Sequence, residues 1–279
     1  QLLNIIYSGM GAVKSFFTNA VKRNSRWGGL TMDNVKKYLG KIITLLTRIV
    51  DEQQGNIDQA ADEIVKRIGQ DRLVYVIGTG AHSMMVAMEL FKRAGGITQF
   101  APIFPPGLGD FEGHPKTERL TGYAPLVLDY YRVREGDILI IANVNGINAL
   151  TIDTALECRK RGIFTIGITS RDFANGVEKN IPSRHPSNKN LHDLVDIVID
   201  AYVPSGDALL EIEGVDVPVG PGSTYPMVFI ANALMIRVVE KQLSLGMKPE
   251  VRKSGNLKGG IERSRKLFDE KYYHRIKHY

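Results

Sequence analysis

Short, continuous apolar runs alternate with helical segments over most of the chain, and this alternation constrains the fold more than any other feature. Five such runs are rich in β-branched or aromatic residues: 73–77, 97–102, 137–142, 163–169 and 195–201. Continuous apolar strands are typical of parallel sheets that are buried on both faces. Strands and helices that alternate with short connections give such a sheet right-handed crossovers. The sequence therefore predicts an α/β fold with a doubly wound, Rossmann-like (flavodoxin-type) sheet of five parallel strands flanked by helices.

The segments between the strands have apolar residues at helical spacing. We expect one helix from the first loop to about Ala94, and others over 118–133, over 149–161 and from 220–224 to about Leu245. Residues 32–70 predict an N-terminal helical segment, which is either a helix pair or one helix broken near Gly55.

Changes in composition divide the chain into four segments. The predicted main domain is 71–246, which follows the helical segment 32–70 and precedes a basic, aromatic segment, 247–279, that we expect to dock on a neighbouring surface. In residues 1–31 the charges follow the apolar stretch, which is the wrong order for a secretory signal. That segment is interpreted as an amphipathic arm, a cloning remnant or an extension before a start at Met32.

Composition and charge exclude several classes of protein. The single cysteine, Cys158, excludes an internal disulfide framework and any CxxC site, which fits a reducing compartment. No apolar run reaches the roughly 18 residues of a membrane span. The formal net charge is +6, but no aromatic-interleaved basic motif accompanies it. We therefore expect a cytoplasmic protein with neither a membrane nor a nucleic-acid partner, and a basic pocket for an anionic metabolite.

The loop after the first strand has the residues of an anion-binding turn. Gly78 and Gly80 allow backbone amides to approach an anion, and the following helix adds partial positive charge. Ser83 replaces the third glycine of a dinucleotide fingerprint, and 97–104 contain no acidic residue for a ribose, so no nicotinamide or flavin cofactor is expected. We predict ligand binding by Gly78, Thr79, Gly80 and Ser83; the alternative is a tight turn without a ligand.

Two further loops follow later strands of the predicted sheet. Side-chain amides in the loop after the third strand can donate hydrogen bonds to a ligand or cap the next helix. A Ser/Pro/Asn-rich loop with an arginine and a histidine can hold an anion or act as a general acid, or is a solvated connection. The predicted site residues in these regions are Asn143, Asn145, Gly146, Asn148, Ser170, Ser183, Arg184, His185 and Ser187.

Several separate motifs in the same order resemble one family. They are His82–Ser83, Glu89–Gly96, Phe111–Gly113, Glu118–Arg119, Ser183–Ser187 and Ser254–Asn256. Together they resemble the sugar isomerase (SIS) domain, the phosphosugar-binding fold of phosphoheptose isomerase, glucosamine-6-phosphate synthase and N-acetylmuramic acid 6-phosphate etherase. The most similar branch is the little-characterised, phosphoheptose isomerase-like group of bacterial SIS-domain proteins. The resemblance covers about Met32 to the C-terminus.

This resemblance implies a function and an assembly. It implies a phosphorylated or otherwise anionic sugar as ligand, a SIS domain over 71–246, and at least a homodimer in which 247–279 can dock on the neighbouring subunit. It implies an aldose–ketose isomerase with Glu89 as the base. The alternatives are a non-catalytic sugar-phosphate sensor and an amino-sugar-phosphate etherase or lyase. An alternative role for Glu89 is an i,i+4 ion pair with Arg93.

The chain departs from the family pattern in two places. Relatives usually carry S-x-S-G-x-[TSN] in the second loop, where this chain has asparagines at 143 and 145. They also use a histidine on the last helix of the domain, and 230–245 contain none. A second acid or base must then come from His82, His185, Glu112 or a partner chain. Enediol chemistry needs a base, a proton donor and oxyanion donors, and we expect neither a metal nor an organic cofactor.

Overall fold

The structure is a computed structural model that describes residues 32–109, 113–114, 116–268 and 270–278. The predicted arm at 1–31 lies outside these ranges. The helices are α1 (Asp33–Glu52), α2 (Gln54–Gly69), α3 (Met84–Leu90), α4 (Ala124–Tyr131), α5 (Ala149–Lys160), α6 (Arg171–Gly176), α7 (Thr224–Ser244) and α8 (Gly260–Phe268). The strands are β1 (Val74–Gly78), β2 (Phe100–Ile103), β3 (Ile138–Ala142), β4 (Phe164–Thr169), β5 (Ile197–Asp200), β6 (Ala208–Leu210) and β7 (Val219–Pro221). Short 3₁₀ helices span Thr117–Arg119 and Leu191–Asp193.

The main sheet confirms the predicted doubly wound fold. Its strand order is β2-β1-β3-β4-β5, and every neighbouring pair is parallel. The order reverses between β1 and β3, and ligands of such sheets bind beyond the carboxyl ends of the strands at this point. Strands β6 and β7 form a separate antiparallel ribbon, which the sequence analysis does not predict.

Alternate side chains of each strand point to opposite faces of the sheet, and other parts of the chain cover both faces. On one face Val74 and Val76 belong to a core shared with α1, α2, α3 and α7. On the other face Tyr75 and Ile77 pack with α4, α5 and the C-terminal segment, which contributes Phe268, Tyr272 and Ile276. Cys158 is buried in this second core, and burial raises the pKa of its thiol to about 12. No helix within the described ranges combines the length and apolarity needed to cross a membrane.

Two predicted helices are shorter than expected. The helix after the first loop ends at Leu90 rather than near Ala94, because Phe91 is extended and Lys92 has a φ of 56°. The helix predicted over 118–133 is instead a 3₁₀ turn followed by α4, separated at Gly122 with a φ of 78°. Glycine adopts this left-handed backbone without a steric penalty, and it therefore interrupts the helix.

Glu250 ties the C-terminal part of the chain to the residues that lead into β2. Its carboxylate accepts hydrogen bonds from the Thr98 hydroxyl at 2.9 Å and the Gln99 amide at 2.9 Å. The Tyr272 hydroxyl donates to it at 2.6 Å and Lys271 Nζ at 2.8 Å. Burial alone would raise the pKa of Glu250, but the hydrogen bonds from Lys271, Tyr272 and Thr98 outweigh burial and leave the pKa below its ordinary value.

We therefore expect Glu250 to stabilise the fold in a pH-dependent way. Because its pKa is lower in the folded than in the unfolded chain, the stabilisation is complete above about pH 4.5 and is lost as the pH falls through the lowered pKa. Glu250→Gln should reduce the free energy of unfolding at neutral pH by about 2 kcal/mol. Urea denaturation at several pH values checks this, and the difference between wild type and variant should shrink in acid. A constant difference at every pH would contradict it.

Candidate functional site

A cavity of about 390 Å³ lies beyond the carboxyl ends of β1 and β3, at the point where the strand order reverses. Its lining comes from the loops after these two strands, the 3₁₀ helix before α4 and the chain entering α7. Five predicted site residues are brought together here: Gly80, His82, Ser83, Asn143 and Asn145.

The two asparagines of the second loop present hydrogen-bond donors to this cavity. Oδ1 of Asn143 accepts the backbone N–H of Asn145 at 3.1 Å and of Gly146 at 3.0 Å. Oδ1 of Asn145 accepts the backbone N–H of Ile147 at 3.1 Å. A backbone N–H can only donate, so both amide oxygens must face the loop. The amino groups are then the parts left for a ligand, and Nδ2 of Asn143 is buried without an acceptor among the described residues.

The missing side chain of Gly80 leaves a space on which three polar groups converge. A Cβ at this position would lie 3.1 Å from Nδ2 of Asn143 and 3.2 Å from Oε2 of Glu118. It would lie 3.5 Å from Oγ of Ser83. An amide donor, a hydroxyl and a carboxylate therefore surround one point beside the backbone of the first loop. Such a carboxylate can remove a proton from a carbon, and the amide and hydroxyl can donate hydrogen bonds to the oxygen beside that carbon.

Two alanine substitutions in the first loop should separate folding from binding. A Cβ on Gly78 would lie 2.3 Å from backbone atoms of Ser83 and Met84, which cannot move independently of the chain. We expect Gly78→Ala to cost about 3 kcal/mol of stability. A Cβ on Gly80 meets only side-chain ends, so Gly80→Ala should stay within about 1 kcal/mol of wild type while its ligand affinity falls. Chemical denaturation and ligand titration of both variants check this; equal loss of stability in the two would contradict it.

The start of α7 forms another part of the cavity wall. Nε2 of His82 lies 3.0 Å from Oγ1 of Thr224, so a hydrogen bond joins the first loop to this helix. Asp207 accepts hydrogen bonds from the backbone N–H of Gly222 at 3.1 Å and of Ser223 at 2.8 Å, and from Oγ of Ser223 at 3.0 Å. These contacts fix the turn from which α7 begins.

The other predicted residues of the first three loops have internal partners. Oγ1 of Thr79 pairs with Oγ1 of Thr151 at 2.7 Å in the buried core. Gly146 has a φ of 60° and packs against Thr169, where a Cβ would lie 2.6 Å from Oγ1. Ser170 caps α6 and donates to the Val203 carbonyl at 2.6 Å. These contacts hold the loops in place, and none of the three predicted residues is part of the cavity lining.

The Ser/Pro/Asn-rich loop lies beside the site and does not line it. The Arg184 guanidinium is buried and donates to the Ala174 and Val177 carbonyls and to Oδ1 of Asn190. The other predicted residues there are likewise engaged: Nδ2 of Asn148 donates to the Ser183 carbonyl at 3.0 Å, and His185 bonds to Asp153 at 3.1 Å and to Ser187 at 2.8 Å. The loop is therefore held by its own hydrogen bonds.

Glu89 lies one helical turn beyond Met85, which lines the cavity. Its carboxylate accepts a hydrogen bond from Nδ2 of Asn232 at 3.1 Å and lies 3.4 Å from Nε of Arg93. Its side chain is 28% exposed, so solvent reaches it. Glu112 lies outside the described residues. The described residues contain no cluster of His, Cys, Asp or Glu suited to a metal ion.

The predicted site residues do not include four polar residues of the lining: Glu118, Asp207, Ser223 and Thr224. The sequence does contain a signal for Glu118, since the Glu118–Arg119 pair is one of the motifs that resemble the family. Asp207 had none, because it sits in an irregular connection before the β6–β7 ribbon and reaches the cavity only through the tertiary fold.

The sequence model described as SIS domain matches residues 37–170 of this chain. The chain belongs to the UPF0309 family: the UPF0309 protein of Geobacillus thermodenitrificans is 34% identical over 245 residues, which cover 87% of this chain and 96% of that protein. The predicted family resemblance is thus confirmed. Among solved structures, the phosphoheptose isomerase of Neisseria gonorrhoeae is 15% identical, with 75% of this chain and 98% of that chain covered and a TM-score of 0.49. The Vibrio vulnificus NanR protein complexed with ManNAc-6P is 17% identical, with 77% and 65% covered and a TM-score of 0.46.

Proposed function

We propose that the cavity binds a phosphorylated or otherwise anionic sugar and isomerises it between aldose and ketose through an enediol. The observation that carries the binding claim is the orientation of Asn143 and Asn145. Both amide oxygens are held by backbone N–H groups, so the amino groups serve as donors to an acceptor-rich ligand. Sugars carrying a phosphate or sulfonate are ligands of this kind, since their charged oxygens only accept hydrogen bonds.

The described lining contains no lysine or arginine, so the basic pocket expected from the net charge of the chain is not found at this cavity. Helix α7 is 21 residues long and begins at Thr224, in the wall of the cavity, so its N-terminus adds partial positive charge. The nearby Asp207 carboxylate is already occupied by three hydrogen bonds from Gly222 and Ser223.

Glu118 is the base that the geometry of the cavity favours. Its carboxylate lies beside the Gly80 backbone and the Asn143 amino group, where the reacting carbons would sit. In this mechanism Glu118 takes the proton from the carbon next to the carbonyl and returns it to the former carbonyl carbon. The Asn143 amino group stabilises the negative oxygen that develops in between. His82, held by Thr224, moves the hydroxyl proton from one oxygen to the other. Glu89 remains the second candidate for the base.

Proton exchange with solvent tests the isomerase proposal. A panel of aldose and ketose phosphates is incubated with the protein in D₂O, and deuterium at the carbons next to the carbonyl is followed by ¹H NMR. We expect incorporation of deuterium into at least one sugar phosphate together with its isomer. Binding without exchange would overturn the isomerase and leave a sugar-phosphate sensor. Release of an ether-linked acid from an amino-sugar phosphate would indicate an etherase instead. The homodimer stays a prediction.

A further inference from the structure

A second cavity lies at the opposite end of the sheet from the candidate site. It has a volume of about 520 Å³ and is formed by the residues before β1 and β3, the end of α4 and the C-terminal segment. Pockets for metabolites usually have volumes of about 300–1,000 Å³. Its lining is basic, with Arg72, Arg132, Arg134, His274, Arg275 and Lys277 against two carboxylates.

Both carboxylates of this cleft are already neutralised. Asp137 pairs with Arg72 at 2.8 Å, and Asp71 pairs with Arg275 at 2.9 Å. Arg132 and Arg134 are exposed and form no ion pair with any carboxylate of the described residues. The described lining of the cleft therefore contains more cationic than anionic side chains.

Tyr75 adds a neutral donor at the floor of the cleft. Its side chain belongs to the buried core, at 9% exposure, and its hydroxyl forms no hydrogen bond within the described residues. Burial raises the pKa of this hydroxyl and the Asp137 carboxylate adds to the increase, while the guanidinium groups of Arg134, Arg275 and Arg132 oppose it. The hydroxyl thus stays protonated at neutral pH, close to three arginines.

We propose that this cleft is a second binding site, separate from the sugar site, for a small molecule that carries phosphate groups. Guanidinium groups match phosphate oxygens because they offer planar pairs of N–H donors. Arg132 and Arg134 supply these donors, and the Tyr75 hydroxyl donates to a further phosphate oxygen from the floor. The site does not depend on the chemistry of the sugar cavity, and its existence is tested independently.

Titration calorimetry with inorganic pyrophosphate tests the proposal. Wild type should bind pyrophosphate with a dissociation constant below roughly 1 mM. The double variant Arg132→Gln/Arg134→Gln should bind at least about tenfold more weakly, and Tyr75→Phe several-fold more weakly. These side chains make no ion pair, so the fold should persist, and thermal melts of each variant check this. The matched control is Lys37→Gln/Lys66→Gln, which removes two positive charges from exposed positions of α1 and α2.

Three outcomes would overturn the proposal. The first is that wild type shows no heat of binding at millimolar pyrophosphate. The control could weaken binding as much as the arginine variant, which would indicate non-specific attraction by net charge. Binding could instead be lost in Asn143→Asp and kept in the arginine variant, which would place pyrophosphate in the sugar cavity.

Discussion

Asn143→Asp is expected to weaken the binding of a sugar phosphate at least about 100-fold, because a like-charge contact across an interface costs several kcal/mol. The aspartate keeps an oxygen in the place of Oδ1, so it still accepts the backbone N–H groups of Asn145 and Gly146. It loses the amino group that faces the cavity and gains a negative charge there. The substitution therefore changes the chemistry of the cavity while it preserves the hydrogen bonds that shape the loop.

The matched control for this variant is Asn175→Asp. Asn175 is exposed on α6, and its Oδ1 accepts a hydrogen bond from Nδ2 of Asn190 at 3.3 Å, which an aspartate can also accept. The net charge of the two variants is equal, so only the position of the charge differs. Calorimetric titration with the same sugar phosphate should show wild-type affinity for the control. Equal affinities of Asn143→Asp and wild type would show that the second loop does not contact the anion.

Glu118→Gln is expected to lower the rate of proton exchange about 10²–10⁴-fold, the usual contribution of a general base. The amide has the size of the carboxylate but cannot take a proton from carbon, so kcat should fall and KM should change little. Exchange into D₂O, followed by NMR at saturating substrate, measures this directly.

Glu89→Gln is the comparison for that experiment. Its carboxylate contacts Asn232 and Arg93 outside the cavity lining, so on this account the substitution should have a much smaller effect on kcat. If Glu89→Gln abolishes exchange and Glu118→Gln retains it, the base is Glu89, as the family resemblance implies. Thermal melts of both variants separate a loss of chemistry from a loss of fold.

The sheet could be predicted because burial on both faces requires continuous apolar strands, and these are visible in the sequence. The positions of the first two loops follow from the same argument, since they leave the carboxyl ends of β1 and β3. Helix ends were less predictable: Lys92 and Gly122 stop helices through their backbone conformation, which apolar spacing does not report.

The functional assignment of single polar residues was the least predictable part. Arg184 has the residue type of an anion ligand, yet its guanidinium is taken up by the carbonyls of Ala174 and Val177. Glu118 lies 38 positions from Gly80 in the sequence and meets it only after β2 and the following connection have folded. Which polar group faces a cavity depends on the partners it finds in the tertiary structure, and residue type alone cannot reveal them.

The claim that the cavity binds an anionic sugar is tested most directly by measuring the melting temperature of the wild-type protein in the presence of matched pairs of ligands. Each sugar phosphate or sulfosugar is compared with its neutral counterpart. A ligand at 100 times its dissociation constant should add about 2.7 kcal/mol to the free energy of unfolding. We predict that at least one anionic sugar raises the melting temperature, that its neutral counterpart does not, and that Asn143→Asp loses the increase. Equal stabilisation by neutral sugars, or none by any anionic sugar, would contradict the account.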